Sequence, residues 1–216
     1  MMNVFEPRPS IILHRRISRL KWSLRLGHYG RGTRIGRVKF VRPRSIYTGL
    51  DCFIDDFAIL NADGSDKSSI RLGINVVIRE QAILEAHKGT IEIGDFSFIG
   101  QGCRITGQGG LRIGSNTMIA ANTVVIPSNH NIDSQDIPYK NQGETSHGIV
   151  IGDNCWIGAN CTVLDGVEMK DGTILAAGSV LTRSPGEGKV ILAGSPARII
   201  KRFNDSSKKW ERVEND

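Results

Sequence analysis

The chain has 216 residues, of which 39% are hydrophobic and 23% charged, with four cysteines and a formal net charge of +6. That length suits one domain with appendages, and the absence of any run of about 18 apolar residues excludes a spanning helix, so a soluble protein is expected. The charge does not argue for nucleic acid: residues 1–34 set Arg8, Arg15, Arg16, Arg19, Lys21, Arg25, Arg31 and Arg34 against Glu6, leaving the remainder of the chain slightly acidic.

The first residues lack the long apolar segment and small-residue cleavage site of a secretory leader, so the cytoplasm is the expected location. Pro9 and Ser10 can start a helix, and Leu13, Ile17, Leu20 and Leu24 follow at helical spacing beside Arg16, Arg19 and Arg25. This predicts a basic amphipathic arm over residues 1–34, its helix ending near Gly27 and packing on the domain that follows or on a neighbouring subunit. Peripheral docking at the inner membrane surface is the second reading.

From Ile35 an aliphatic or aromatic residue returns every sixth position (Ile35, Val41, Tyr47, Phe53, Ile59), although Lys39, Asp51 and Phe57 interrupt the accompanying small-residue slot. Terminal coils of solenoids are often irregular, which accounts for this hesitant start. After a polar loop over residues 61–69 the pattern returns at Leu72, Ile78 and Leu84, at Ile93, Ile99 and Ile105, and at Ile113, Ile119 and Val125, with Val76, Ala82, Ser97, Cys103, Thr117 and Thr123 as the small residues. It is clearest over residues 151–186, where Ile151, Ile157, Val163, Met169, Leu175 and Leu181 alternate with Cys155, Cys161, Val167, Thr173 and Ser179. Neither a helix nor an ordinary strand has a period of six. The backbone must repeat one short-strand-and-turn move, burying one aliphatic and one small residue each time.

Three such units close one coil of eighteen residues, which predicts an all-β solenoid of triangular cross-section over residues 35–184. Successive rounds begin at residues 72, 93, 113, 151 and 169, so most of the insertion falls between 113 and 151 and places an extended corner loop at residues 127–148. Insertions on a repeat scaffold are where binding and chemistry usually sit. Residues 185–216 read as a turn, a short strand at Val190 to Ala193, and a helix capped by Ser195 and opened by Pro196. Cys103, Cys155 and Cys161 occupy small-residue slots and are read, with Cys52, as buried thiols.

The string IVIGDNCWIGANCTVLDGVEMKDGTILAAGSVLTRS, followed by AGSPARIIKR, resembles the hexapeptide-repeat acyltransferases, and among them the sugar O-acetyltransferases of the maltose, galactoside and nodulation type. The resemblance is close over residues 93–202, weaker over 35–92 and absent before. It implies a left-handed parallel β-helix, a homotrimer with sites between subunits, and acetyl-CoA as co-substrate with no metal required. It further implies a histidine early in the corner loop that takes the proton of the acceptor hydroxyl. His130 matches it, with Asn131 where proline is usual.

An alcohol is a poor nucleophile toward a thioester, and histidine is the base suited to neutral pH. His130 is therefore the candidate catalytic residue. His147, in the same loop, reads as closing it, and His87 as a solvated surface residue. Asp133 and Glu144 are candidates to orient the base or to bind sugar hydroxyls, and Gln101 matches a position that contacts the acceptor in the family. Trp156 falls on the outside of the prism; the resemblance places it beside the active site. By the same resemblance Ala159 and Ala177 present amides to pantetheine, while Thr182, Arg198 and Lys201 reach the phosphates of CoA, with Arg183 as a further cation and Lys189 as surface charge. The leading function is acetyl transfer from acetyl-CoA to a hydroxyl of a sugar or saccharide precursor. Transfer to an amino sugar or antibiotic amine, a zinc enzyme on the same scaffold and a non-catalytic solenoid are the alternatives.

Overall fold

The computed structural model describes residues 22–213. The helix expected on residues 10–21 lies outside the described residues. Of its apolar stripe only Leu24 is described, and it is 79% exposed, whereas Leu26 is buried and the Trp22 ring packs on Phe40 with centroids 4.6 Å apart.

In a strand, residues two apart point the same way. The small residue and the aliphatic of each unit stand two apart, so both turn inward, as Cys155 and Ile157 do. The result is a left-handed parallel β-helix of about eight turns with three flat faces. The first face runs from His28–Tyr29 to Glu168–Met169, the second from Arg34–Ile35 to Ile174–Leu175 and the third from Lys39–Val41 to Val180–Leu181. The first and third carry seven strands each, and the second is extended to ten. Leu72 pairs with Ile93, Ile93 with Ile113, Ile113 with Ile151 and Ile151 with Met169, the partners that the coil lengths predict.

Stacked coils place like residues on like, so the core is a set of ladders. Ile54, Ile78, Ile99, Ile119, Ile157 and Leu175 form one of them and are all fully buried. At roughly 2 kcal/mol for each buried aliphatic, these ladders dominate the stability. Hydroxyls in the small slots are satisfied across coils: Thr117 donates to the Gly152 carbonyl at 2.8 Å and Thr123 to that of Gly158 at 2.9 Å. Each corner needs one residue in the left-handed region, which is why Asn75, Asn116, Asn122, Asn154 and Asn160 recur there.

Three sequence expectations change. The early coils are not irregular; they are shifted in register. The turn after Ile35 has one residue fewer than the turn below it, so Phe40 rather than Val41 faces Leu60. The extra turn at Pro43–Ser45 restores the length, and Ile46, Cys52, Ile54, Ala58 and Leu60 are the inward residues, while Tyr47, Phe53 and Ile59 stand outward of them. The solenoid also starts earlier than residue 35, because His28–Tyr29 already pairs with Tyr47–Thr48.

The C-terminal helix is the third correction: Ala197–Asn204 is a strand. Val190–Gly194 caps the second face by pairing with Ile174–Leu175, leaving a free edge on which Ala197–Asn204 and then Lys209–Arg212 fold back antiparallel. The β-branched Ile199 and Ile200 and the aromatic Phe203 suit that edge better than a short exposed helix. No helix among the described residues is long and apolar enough to cross a membrane.

Candidate active site

The long excursion leaves the third face after Val124–Ile126 and rejoins the first at Ile149–Ile151. Its two arms form a short antiparallel ladder in which His130 stands opposite Glu144. Gln142 ties the tip together, donating to the carbonyls of Ser134 at 2.7 Å and Ile137 at 2.6 Å. Asn131 adds a backbone bond to Gly143 and a side-chain bond to the Gln142 carbonyl. A proline at 131 could make neither bond, so the substitution is built into this loop's closure.

His130 Nε2 lies 3.6 Å from Glu144 Oε1, and the ring is 56% exposed. Glu144 is itself held by Gln108, whose amide donates to Oε2 at 2.5 Å. This chain of contacts keeps the ring at the corner from which the loop departs. The second loop histidine is the more tightly organised. His147 Nδ1 is 2.8 Å from Asp165 Oδ2, while Oδ1 accepts the amides of His147 at 2.8 Å and Gly148 at 3.0 Å. Burial pushes the Asp165 carboxyl up, but the His147 ring and the two amides together outweigh it and hold the group below the usual carboxylate range. The sequence reading gave His147 only a closing role. The missed signal was its spacing: Asp165 follows by one coil of eighteen residues and so stacks directly against it.

Trp156 projects from the second face between Met118 and Ile174 and is 49% exposed. Ala159 and Ala177 occupy equivalent places one coil apart at the corner between second and third faces, where Gly178 donates to the Ala159 carbonyl at 2.9 Å. Their own amides donate no hydrogen bond among the described residues. Gln101 is exposed at the same corner, and Arg198 and Lys201 lie on the strand that extends the second face. Arg183, Arg198 and Lys201 form no ion pair among the described residues, whereas Lys189 meets both oxygens of Asp205 at 2.8 Å, as its surface reading requires. Asp133 is exposed in the excursion. Thr182 and Arg183 follow Val180–Leu181 at the excursion's own corner, away from Ala159 and Ala177. His87 sits in an earlier turn, 3.6 Å from Glu85. Among the described residues no group of three His, Cys, Asp or Glu side chains could hold a metal ion.

The candidates therefore fall into two sets. His130, Glu144, Thr182 and Arg183 stand at one corner, and Trp156 lies on the face opposite that corner. A face of about six extended residues is roughly 20 Å wide.

Two repeat patterns match the coils on either side of the excursion. The one described as hexapeptide repeat of succinyl-transferase covers residues 90–127, and the one described as bacterial transferase hexapeptide (six repeats) covers residues 148–183. The coils on both sides of the excursion thus carry transferase hexapeptide repeats. WbbJ of Escherichia coli, named for O-acetyl transfer in lipopolysaccharide biosynthesis, is a 37% identical relative over 108 residues, covering 47% of this chain and 55% of WbbJ. The galactoside O-acetyltransferase of the same organism is 33% identical over 99 residues, covering 45% of this chain and 47% of that enzyme. The chain thus spans about half the length of these relatives. The fold is shared with AntD, an N-acyltransferase from Bacillus cereus solved with dTDP and 3-hydroxybutyryl-CoA, at a TM-score of 0.59 and 19% identity over 95% of this chain and 93% of that one. UDP-N-acetylglucosamine O-acyltransferase from Moraxella catarrhalis superposes at a TM-score of 0.60 with 16% identity, over 84% and 68% of the two chains.

The four cysteines of this hexapeptide-repeat chain are free and buried. Burial raises all four thiols, Cys103 to about 11, so none is a thiolate at neutral pH. Native protein should show no fast-reacting thiol toward an aromatic disulfide reagent, and all four after denaturation. A fast-reacting thiol in the folded state would reopen a covalent acyl-cysteine route.

Proposed function

We propose that the protein transfers an acetyl group from acetyl-CoA to a hydroxyl of a sugar or saccharide precursor, by direct attack within a ternary complex. The observation that carries this reading is the loop ladder that holds His130 beside Glu144 at the mouth of a hexapeptide-repeat scaffold. With Nε2 turned toward Glu144, Nδ1 is left to take the proton of the acceptor hydroxyl as its oxygen attacks the thioester carbon. Backbone amides hold the developing oxyanion, the carbon–sulfur bond breaks, and His130 returns the proton to the CoA sulfur. Ala159 and Ala177 offer unpaired amides along the pantetheine, Trp156 walls the crevice, and Arg198 and Lys201, on the strand that extends the second face, meet the phosphates.

The two separated sets of residues meet if three copies assemble, the loop of one subunit reaching the second face of the next. An outward ladder on that face supports packing between copies: Phe53, Val77, Phe98, Met118, Trp156, Ile174 and Ile191 follow one another in register. A reaction that consumes acetyl-CoA belongs in the cytoplasm.

Release of free CoA thiol from acetyl-CoA, followed over a panel of sugars, nucleotide sugars, amino sugars and oligosaccharides, tests the reading. Acceptor-dependent release with an alkali-labile ester product is expected. Release only with amines, giving an amide, would assign N-acetyl transfer instead, and no release with any acceptor would remove the activity.

A further inference from the structure

A second feature of the same corner is not used by the chemistry above. A cleft of about 450 Å³ opens on the outside of the first face, lined among others by Thr90, Glu92, Arg112, Val150, Glu168 and His147. Register places Glu92 beside Arg112, Arg112 beside Val150 and Val150 beside Glu168, so the charged groups stand on successive coils around an aliphatic floor. Although the signs alternate, none of Glu92, Arg112 or Glu168 forms an ion pair among the described residues. All three are exposed at the cleft. His147 adds a ring whose Nδ1 is committed to Asp165, leaving Nε2 at the rim.

The lining also indicates what would fit. Two carboxylates against one guanidinium repel an anion such as a phosphate or diphosphate. Carboxylates, a guanidinium, a hydroxyl and an imidazole around the apolar Val150 match the alternating hydroxyls and C–H faces of a neutral sugar. The cleft is continuous with the catalytic corner: Gly109 and Gly110 form part of its wall, and the preceding residue, Gln108, holds the Glu144 that faces His130.

We propose that this cleft is a subsite for a neutral saccharide unit, occupied by the part of an oligosaccharide acceptor that lies beyond the reacting sugar, with His147, oriented by Asp165, contacting one of its hydroxyls. The proposal rests on the reading of a saccharide acceptor, but its test does not need turnover. Binding of the 216-residue chain to an array of neutral and anionic oligosaccharides, without acetyl-CoA, is compared among the parent, Val150→Trp, His147→Ala and His130→Ala. Val150 is outward-facing, so a tryptophan fills the cleft without entering the core.

Neutral glycans should be retained by the parent and by His130→Ala, and weakened about tenfold or more by Val150→Trp and several-fold by His147→Ala. Binding of none of the neutral glycans, a preference for anionic ones, or binding unaffected by Val150→Trp overturns the proposal. Asp165→Asn separates orientation from bulk. Its Oδ1 still accepts both amides, but its NH2 group turns the ring to the opposite tautomer, so glycan binding should fall as in His147→Ala while the melting temperature holds. An Asp165→Asn protein that binds like the parent removes the orienting role.

Discussion

His130→Ala should lower acetyl transfer by about a thousandfold, the usual contribution of a positioned general base, while leaving the fold and acetyl-CoA binding intact. The second half of that expectation follows from the ring's surroundings. It is 56% exposed, contacts Glu144 at 3.6 Å and touches none of the core ladders, so its removal opens no cavity. Circular dichroism, CoA affinity and CoA-thiol release measured on one preparation separate the two effects. Unchanged turnover would take His130 out of the mechanism and make His147, with its 2.8 Å contact to Asp165, the base to test next.

A large stability effect is expected at Gly158. This residue is buried where two coils cross the corner of the proposed CoA crevice, and an added Cβ would stand 2.5 Å from the Ala177 nitrogen and 2.7 Å from its Cα. Both are backbone atoms of the next coil, so nothing flexible can yield, and the coils must part. Gly158→Ala should cost about 3 kcal/mol and lower the melting temperature by roughly 10 °C. Gly178, at a nearby turn, provides the contrast. It has φ +73 with nothing within 4 Å of the added carbon, so Gly178→Ala bears only conformational strain of about 1 kcal/mol. Equal melting temperatures for the two variants would show that coil contact does not limit stability there.

Much of the fold was legible because a six-residue unit leaves little choice of which residues turn inward. Cys155 and Ile157, or Thr173 and Leu175, define the coil by themselves, and the spacing of Ile113 from Ile151 announces the excursion before any strand is seen. The slip near Phe40 was hidden because one short turn and one long turn nearly cancel, leaving aromatic residues at the wrong phase to imitate the pattern. The C-terminal strand was hidden for another reason. Ser195 and Pro196 are good helix openers locally, but the edge exposed by Val190–Gly194 is a tertiary fact. Of the candidates, His130 and Trp156 were picked out one by one through the resemblance, whereas the His147–Asp165 contact needed the coil length used as a ruler, and the charged cleft around Val150 needed the register of four strands.

The central proposal is that the candidate residues on two sides of the prism meet at a junction between copies. Subunit complementation tests it most directly. His130→Ala disables the loop half of a junction, and Ala177→Trp, at an exposed corner position, blocks the crevice half. Each variant alone should be inactive. Co-refolded in equal amounts, they form rings in which about a quarter of the junctions combine an intact loop with an intact crevice, so activity should return to about a quarter of the parent value. A mixture no more active than its parents, although shown to contain mixed assemblies, would mean that each protomer carries its whole site and would contradict the account.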